Sequence, residues 1–437
     1  MMQNLLYLVH RIPYPPNKGD KIRSYHVLKH LSQSYRIHLG TFIDDEKDFA
    51  YLDKVKALCS DTCFIKLDPK IARIRSLSGM LSNEALSLPY YRNAELQSWV
   101  DGQLKNQAIK NILIFSSPMA QYVNKTGSTH RVIDFVDIDS DKWKQYADTK
   151  PWPLNWLYRR ESRLLLQYEK QVAKDFDGAT FVSEAEASLF KQLAPEAAGK
   201  VTYFSNGVDT HYFSPDIVFA NPYPQGTVAL VFTGAMDYWA NVEAVEWFSK
   251  TVFPSVRSRF PDLQFYIVGA RPTSQVSALG ALPGITVTGS VPDVRPFLAH
   301  ATLAVAPLRI ARGIQNKVLE AMAMGKPVLA SPQALEGIHA EIDRELFVAS
   351  DGNAFIEKII TLLQAGPNDS IGKAARIRIL ENYSWPHIVR RMPLSDIFPA
   401  DLEIGRETEE VVMFSCSRQK EPIQKRTSIT KPKKTQP

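Results

Sequence analysis

The residues best suited to bind an anion lie in one loop and helix start in the second half of the sequence. Residues 306–332 read APLRIARGIQNKVLEAMAMGKPVLASP, which predicts a strand ending at Leu308 and a helix starting near Asn316. Backbone N–H groups and the positive dipole end of a helix start attract phosphate oxygens. The loop and first turn contribute amides or charges from Arg309, Arg312, Gly313, Ile314, Gln315, Asn316 and Lys317. The segment is therefore a candidate diphosphate site; the alternative is an ordinary strand–loop–helix unit with surface arginines.

Glu320 lies one turn inside the same predicted helix. From there a carboxylate can accept hydrogen bonds from a ribose diol beside a bound diphosphate. Gly325 has the position of a C′ glycine, where helices end, and Pro327 opens the next strand. Contacts of both kinds, if formed, would suit a nucleotide ligand.

Alternating strands and helices must position this segment. Buried-strand patterns in the first half cover residues 5–9, 35–42, 62–67, 111–115, 132–136 and 178–182. In the second half they cover residues 228–233, 264–268, 285–288, 303–306, 327–330 and 346–349. Helical patterns fill the gaps, and this alternation indicates parallel sheets. The predicted fold class is α/β, with two Rossmann-like doubly wound domains facing across a cleft.

Composition suggests where these domains begin and end. A connector rich in Pro, Asn and Gly, SPDIVFANPYPQG, separates a first domain at 1–215 from a second at 226–372. Residues 373–398 are predicted to form a helical segment, and residues 400–437 a disordered basic tail. The cleft between the domains, at the carboxyl ends of their strands, is the expected ligand site.

The formal net charge of +6 resides in the tail, since the residues from Cys416 onward hold seven Lys or Arg and one Glu. The rest of the chain is neutral, and no nucleic-acid partner is predicted. Three cysteines form no disulfide framework, which fits a reducing compartment, and no metal site is expected. Without a signal peptide or an apolar run of membrane-spanning length, the predicted location is the cytoplasm.

Peripheral contact with the cytoplasmic face of the membrane is a further expectation. The segment from Trp152 to Tyr168 mixes aromatic and basic residues and could lie on a membrane that presents a lipid-linked acceptor. The basic tail could contact anionic lipids as well. The alternatives are packing between helices and a solvated tail.

Several blocks of the sequence resemble one enzyme family. Residues 306–332 resemble the donor-binding signature of the family-four retaining glycosyltransferases, which have the GT-B fold. Other blocks agree in order and spacing over residues 3–395: PYPPNKGDKIRSYHVLKHL, DFVDIDSDKW, FVSEAE, NGVD, FTGAMDYWANVEAVEWF and VTGSVPDVRP. In particular, the sequence is similar to the sugar transferases associated with exosortase/PEP-CTERM exopolysaccharide systems.

The resemblance implies a role for each domain. The domain at 1–215 would bind the acceptor, and the domain at 226–372 the NDP-sugar donor, without a metal ion or other cofactor. The donor-binding residues that it adds are Gly19, Gly234, Gly269 and Val291. For Gly19, which lies in a Pro-rich loop, an ordinary turn is the alternative.

Asp137 and Asp139 are the candidate catalytic residues. Family-four enzymes often place a His or Asp from this region near the transferred sugar, and the alternative here is turn and capping chemistry. The sequence also departs from the family. Members often carry two glutamates eight positions apart, whereas here the second is Glu320 and the first position holds Arg312. This departure leaves open which sugar is bound and whether Arg312 contacts phosphate.

The resemblance thus predicts a retaining hexosyltransferase that moves a sugar from an NDP-sugar to a saccharide or lipid-linked acceptor in exopolysaccharide biosynthesis. Two alternatives remain: a nucleotide-sugar epimerase of the same architecture and a non-catalytic protein that binds sugar nucleotides. A dehydrogenase is disfavoured because no G-x-G-x-x-G follows a predicted strand.

Overall fold

The computed structural model of the protein describes residues 2–16, 18–123, 129–311, 313–366 and 369–390. Arg312 and the predicted tail at 400–437 lie outside the described residues. Two parallel β-sheets flanked by helices form two lobes of one compact unit. This confirms the predicted α/β fold with two Rossmann-like domains.

The amino-terminal lobe contains a seven-stranded sheet with the order β3-β2-β1-β4-β5-β6-β7. Its strands are β1 (Gln3–Val9), β2 (Tyr35–Ile43), β3 (Asp61–Lys66), β4 (Asn111–Phe115), β5 (His130–Val136), β6 (Gly178–Phe181) and β7 (Val201–Tyr203). Its helices are α1 (Gly19–Leu31), α2 (Leu52–Lys56), α3 (Pro69–Ser76), α4 (Ser78–Leu81), α5 (Ser87–Tyr90), α6 (Ala94–Asn106), α7 (Asp139–Thr149), α8 (Leu154–Asp175) and α9 (Glu184–Leu193).

The carboxy-terminal lobe contains a six-stranded sheet with the order β10-β9-β8-β11-β12-β13. Its strands are β8 (Val228–Thr233), β9 (Leu263–Val268), β10 (Ile285–Gly289), β11 (Leu303–Ala306), β12 (Val328–Ala330) and β13 (Phe347–Val348). The helices that follow β8 are α10 (Trp239–Trp247), α11 (Phe253–Arg257), α12 (Ser274–Leu279), α13 (Arg295–His300), α14 (Asn316–Ala323), α15 (Gly352–Ala365), α16 (Asp369–Asn382) and α17 (Trp385–Arg390). None of the helices in the described ranges is long and apolar enough to cross a membrane.

Counted from its own first strand, each lobe has the order 3-2-1-4-5-6, and the amino-terminal sheet has β7 as an additional strand. The order reverses between β1 and β4 in one lobe and between β8 and β11 in the other. Ligands of open α/β sheets bind at such reversals, beyond the carboxyl ends of the strands. The loop after β8 and the β11–α14 loop therefore flank the expected ligand position in the carboxy-terminal lobe.

The structure corrects the prediction that Gly19 lies in a loop. Gly19 is the first residue of α1, and it is exposed. No atom lies within 4 Å of the position that a Cβ would occupy. Packing therefore does not require a glycine there, and any need for one would come from a ligand or from the loop conformation.

The end of the described chain returns to the amino-terminal lobe. The Val208 N–H donates to the Tyr383 carbonyl at 2.8 Å, and the Trp385 N–H donates to the Val208 carbonyl at 3.3 Å. Trp385, at the start of α17, stacks on His26 of α1 with ring centroids 4.6 Å apart. Burial lowers the pKa of His26 to about 4, so this ring is neutral at physiological pH. The two lobes are thus joined by two chain segments that pair with each other.

A buried ion pair fixes α1 to the centre of the amino-terminal sheet. The Arg23 guanidinium, which is fully buried, donates to the Asp134 carboxylate through Nε at 2.7 Å and Nη2 at 3.2 Å. Its Nη1 donates to the Phe204 carbonyl at 3.0 Å and to the Asn206 side chain at 3.1 Å. The pair therefore also holds the chain segment that leads to the other lobe.

Arg23→Ala is expected to lower the free energy of unfolding by about 3–5 kcal/mol, because it leaves the Asp134 carboxylate buried without its partner. Urea denaturation measures this loss. Lys66→Ala is the control, since its ion pair with Glu46 is exposed and should leave the midpoint unchanged. Equal midpoints for Arg23→Ala and the parent would contradict this role.

Candidate functional site

Two glycines bring the loops after β8 and β9 into contact. The Gly234 N–H donates to the Val268 carbonyl at 3.0 Å, and the Met236 N–H donates to the Ala270 carbonyl at 2.8 Å. A Cβ at Gly269 would lie 1.6 Å from the Gly234 carbonyl oxygen, so only glycine fits there. Gly234 and Gly269 thus lie together at the carboxyl ends of central strands, and their contact with a donor stays a prediction. The loop after β8 approaches position 269 so closely that a glycine is required there.

The Lys317 side chain reaches this pair of loops from the first turn of α14. Its Nζ donates to the Asn241 Oδ1 at 2.6 Å and lies 4.9 Å from the centroid of the Phe232 ring. The Asn241 amide in turn donates to the Ala235 carbonyl at 2.9 Å. Burial lowers the pKa of Lys317 to about 8, although nearby Glu320 opposes this. Asn241 therefore positions the ammonium over the loop that follows β8.

Glu320 follows Lys317 by one turn and shares its environment. Burial raises the pKa of Glu320 to about 7, an effect that Lys317 partly offsets. The carboxyl group therefore changes its charge close to neutral pH. A hydrogen-bond acceptor such as a carboxylate is what a ribose diol requires.

The amino end of α14 carries unusual residues for a helix start. Gln315 is the N-cap residue, and its side chain makes no capping hydrogen bond but donates to the Gly313 carbonyl at 3.1 Å. The first turn holds Lys317 and no acidic residue, although Asp and Glu are favoured there. The Asn316 Oδ1 is buried and has no hydrogen-bond partner among the described atoms. This end of the helix is electropositive and suited to an anionic ligand.

Arg309 is held away from the helix start. Its Nε and Nη2 both donate to Glu243 Oε1 on α10, the Nε at 2.7 Å. The guanidinium also lies 5.4 Å from the Trp247 ring centroid, and the side chain is 56% exposed. Arg309 would have to leave Glu243 to contact a phosphate. The predicted contact of Arg312 falls outside the described residues.

Gly313 and Ile314 line a cavity between the two lobes. Gly313 has a φ of +63°, in the left-handed region that favours glycine, and its Cβ position would lie 3.6 Å from Val182 of the other lobe. The cavity has a volume of about 310 Å³. The remaining lining residues are Ser183, Glu184, Ala185, Ser188, Tyr203 and Ser205 from the amino-terminal lobe, and Glu336, Gly337 and His339 from the carboxy-terminal lobe. The cavity thus has polar groups from both lobes.

Of the residues that line this cavity, Gly313 and Ile314 were predicted from the sequence as site residues. Ser183 caps α9, and Ser205 follows β7, so both belong to the carboxyl edge of the sheet, which could have indicated them. Glu336 and His339 lie in a loop after β12 with no recognisable pattern. Val291 is half-buried and packs against the core of the carboxy-terminal lobe, just beyond β10.

Asp137 and Asp139 lie at the carboxyl end of β5, beside the strand that leads into the cavity. Lys142 donates to both carboxylates, at 2.7 Å and 3.2 Å. The two carboxylates raise the pKa of Lys142 well above its usual value despite its partial burial. Asp137 and Asp139 are therefore ion-paired, and their catalytic role stays a prediction.

Next to them, Glu169 accepts hydrogen bonds from the Ser140 N–H at 3.2 Å and from its hydroxyl. Burial and the Asp139 charge raise the pKa of Glu169 to about 8. Although several acidic groups meet here, no cluster of metal-ligating side chains occurs in the described part of the chain. The hydrogen bonds to Ser140 place the start of α7 against α8.

Comparisons with known proteins show similarity in the sequence of the carboxy-terminal lobe and in the overall fold. Residues 227–365 match a family model described as Glycosyl transferases group 1. No curated protein matches the sequence. Sucrose-phosphate synthase from Thermosynechococcus elongatus has a similar structure, with a TM-score of 0.64 at 16% identity, covering 89% of this chain and 97% of that one.

Of two other similar structures, one is a glycosyltransferase and the other was solved with a nucleotide bound. WaaG, a glycosyltransferase involved in lipopolysaccharide biosynthesis, has a TM-score of 0.61 at 15% identity, covering 91% of this chain and 100% of its own. Anabaena Alr3699/HepE, solved in complex with UDP and glucose, has a TM-score of 0.60 at 15% identity, covering 89% and 98%. The fold is thus that of GT-B glycosyltransferases, and the family match supports glycosyl transfer.

Glu320→Gln is expected to stabilise the protein more at pH 8 than at pH 5. An unfolded glutamate titrates near pH 4.3, whereas the pKa of Glu320 in the folded protein is about 7. Between these values the folded state holds the extra proton, so stability falls as pH rises. Melting temperatures of parent and variant at both pH values measure the difference.

Glu357→Gln, at an exposed position on α15, is the matched control and should change the melting temperature equally at both pH values. If Glu320→Gln behaved like this control, the carboxyl group would not be in the environment described here.

Proposed function

We propose that this protein transfers a sugar from an NDP-sugar donor to a saccharide or lipid-linked acceptor in exopolysaccharide biosynthesis. The observation that carries the proposal is the start of α14, which has Lys317 and no carboxylate in its first turn. A cation at the positive end of a helix is unfavourable unless an anion lies beside it. The diphosphate of a nucleotide sugar supplies that anion in a fixed position.

The donor would lie across the loops at the strand-order reversal. In this arrangement the diphosphate contacts Lys317 and the amides of the 313–316 segment, and Glu320 accepts hydrogen bonds from the ribose. Gly234 and Gly269 form the floor, with the base near Val291 beyond β10. Arg309 contributes once it exchanges Glu243 for phosphate, and a phosphate contact by Arg312 stays a prediction from the sequence. UDP bound to Anabaena HepE, a protein of the same fold, is in keeping with such a donor.

Transfer would proceed by departure of the diphosphate from the sugar. Lys317 and the helix dipole stabilise the negative charge that develops on the leaving group. The protein supplies this stabilisation, so the proposal needs no metal ion or other cofactor. The departing phosphate can accept the proton of the acceptor hydroxyl on the same face, which gives retention of the anomeric configuration.

The acceptor would enter from the amino-terminal lobe. Ser183, Ser205 and Tyr203 offer hydroxyl groups to sugar hydroxyls in the cavity. Because Asp137 and Asp139 share the single ammonium of Lys142, we assign them hydrogen bonds to sugar hydroxyls and not general-base catalysis. Residues from both lobes surround the cavity, which would exclude water during transfer and limit hydrolysis of the donor. A lipid-linked acceptor would place the enzyme at the cytoplasmic face of the membrane.

Lys317→Ala is expected to weaken nucleoside-diphosphate binding by about tenfold to a hundredfold, the effect of losing one hydrogen bond between charged groups. Isothermal titration with UDP, GDP, ADP and dTDP first identifies the base, and the matching nucleoside serves as a ligand without phosphate. Lys317→Ala should affect the diphosphate and not the nucleoside. Lys326→Ala is the matched control, because Lys326 is also half-buried and follows the other end of α14.

Glu320→Ala should abolish the preference for a ribose diol. The parent is expected to bind the nucleoside diphosphate more tightly than its 2′,3′-dideoxy analogue, and Glu320→Ala should bind both equally. Unchanged binding in both Lys317→Ala and Glu320→Ala would overturn the site assignment. Conversion of an NDP-sugar to its epimer without an acceptor would overturn the transferase proposal while leaving the site in place.

A further inference from the structure

An apolar stripe on α3 and α4 faces solvent. Ile71, Ile74, Leu77 and Leu81 recur at a spacing of three or four residues, which places them on one side of the helical segment. Their exposed fractions range from 57% to 93%. The opposite side, with Ala72 and Ser76, is buried against the lobe. Side chains of this size add nothing to the core while they remain in water.

A second exposed apolar segment precedes and begins α8. Trp152 is 78% exposed and Trp156 53% exposed, with Leu154 between them. Hydrogen bonds join this segment to α4, since Arg160 donates to the Gly79 carbonyl at 2.7 Å and to the Glu84 carbonyl at 3.2 Å. The two apolar segments are therefore neighbours on the amino-terminal lobe, and we call them together the α3–α8 face.

Cations accompany these apolar side chains. Residues 69–81 contain Lys70, Arg73 and Arg75 but no Asp or Glu, and residues 150–160 contain Lys150, Arg159 and Arg160 but no Asp or Glu. Lys70, Arg73 and Lys150 are exposed. An anionic membrane surface has charged headgroups above an apolar acyl region. Exposed leucine, isoleucine and tryptophan suit the acyl region, and lysine and arginine suit the headgroups. The apolar groups insert at the acyl boundary, and the cations pair with headgroups.

We propose that the α3–α8 face docks on the surface of an anionic lipid bilayer. The exposed cations Lys70, Arg73 and Lys150 select this occupant, because a purely apolar protein groove would leave them unpaired, whereas Arg159 already lies 3.6 Å from Asp148. Tryptophan side chains also favour the interface between headgroups and acyl chains. The inference goes beyond the proposed transferase activity, since lipid binding by this face does not require a donor. It would hold the acceptor lobe next to lipid-linked substrates.

The test is co-sedimentation of the full chain with vesicles of phosphatidylcholine alone or mixed with phosphatidylglycerol. The parent should bind the mixed vesicles, and added salt should weaken binding. Ile74→Ser combined with Leu81→Ser should lower the partition coefficient by about tenfold or more, because two inserted side chains are lost. Val218→Ser is the matched control, since Val218 is 96% exposed and lies outside the α3–α8 face.

A second readout identifies which surface touches lipid. Brominated phosphatidylglycerol should quench the parent's tryptophan fluorescence, and Trp152→Phe combined with Trp156→Phe should remove most of that quenching. Vesicle binding that survives both double variants unchanged would overturn the proposal and would assign binding to another part of the chain, such as the basic carboxy-terminal residues. Failure of the parent to bind mixed vesicles would overturn it too.

Nucleoside-diphosphate titration of the Ile74→Ser/Leu81→Ser variant separates this proposal from the proposed activity. Parent-like affinity for the nucleotide, with lost vesicle binding, is the expected result. Loss of both nucleotide binding and vesicle binding would mean that the substitutions disrupt the fold. The single variant Leu81→Ser, at the most exposed position of the stripe, would then replace the double variant in the same vesicle assay.

Discussion

The position of one ammonium group, that of Lys317, determines what the rest of the site can do. It lies in the first turn of α14, where the helix dipole is unfavourable to a cation, and Glu320, one turn further along, offsets this only in part. Burial makes its charged form less stable still, and the Asn241 oxygen at 2.6 Å is a neutral partner. Binding of an anion next to Lys317 would stabilise its charged form. We propose that this anion binds at the loops after β8 and β11, where the strand order reverses.

Most of the fold was predictable because buried parallel strands leave continuous apolar runs in the sequence, as in β1 and β8. The strand β7 was missed, since its three residues make too short a pattern. The bounds of α14 were also predictable, because the signals for its start and its end are local. The end signal is Gly325, whose φ of +65° suits a C′ glycine. The orientation of Arg309 was not predictable, because its partner Glu243 lies 66 residues away.

The set of residues that lines the cavity was also not predictable from local sequence patterns. Ser183 and His339 come from different lobes, and only the tertiary fold brings them to one cavity. The return of the chain near Trp385 onto α1 joins the lobes through a ring stack and paired backbone segments. In the proposed transferase, donor and acceptor would bind to different lobes and meet across the cavity, and this connection joins the two lobes. The α3–α8 face lies on the amino-terminal lobe, to which the proposal assigns the acceptor.

A structure of the protein with its nucleoside diphosphate bound tests the central claim most directly. The account predicts phosphate oxygens within hydrogen-bond distance of the Lys317 ammonium and of the amides at the start of α14, with the ribose hydroxyls at Glu320. A diphosphate bound elsewhere, with Lys317 still donating only to Asn241, would contradict it.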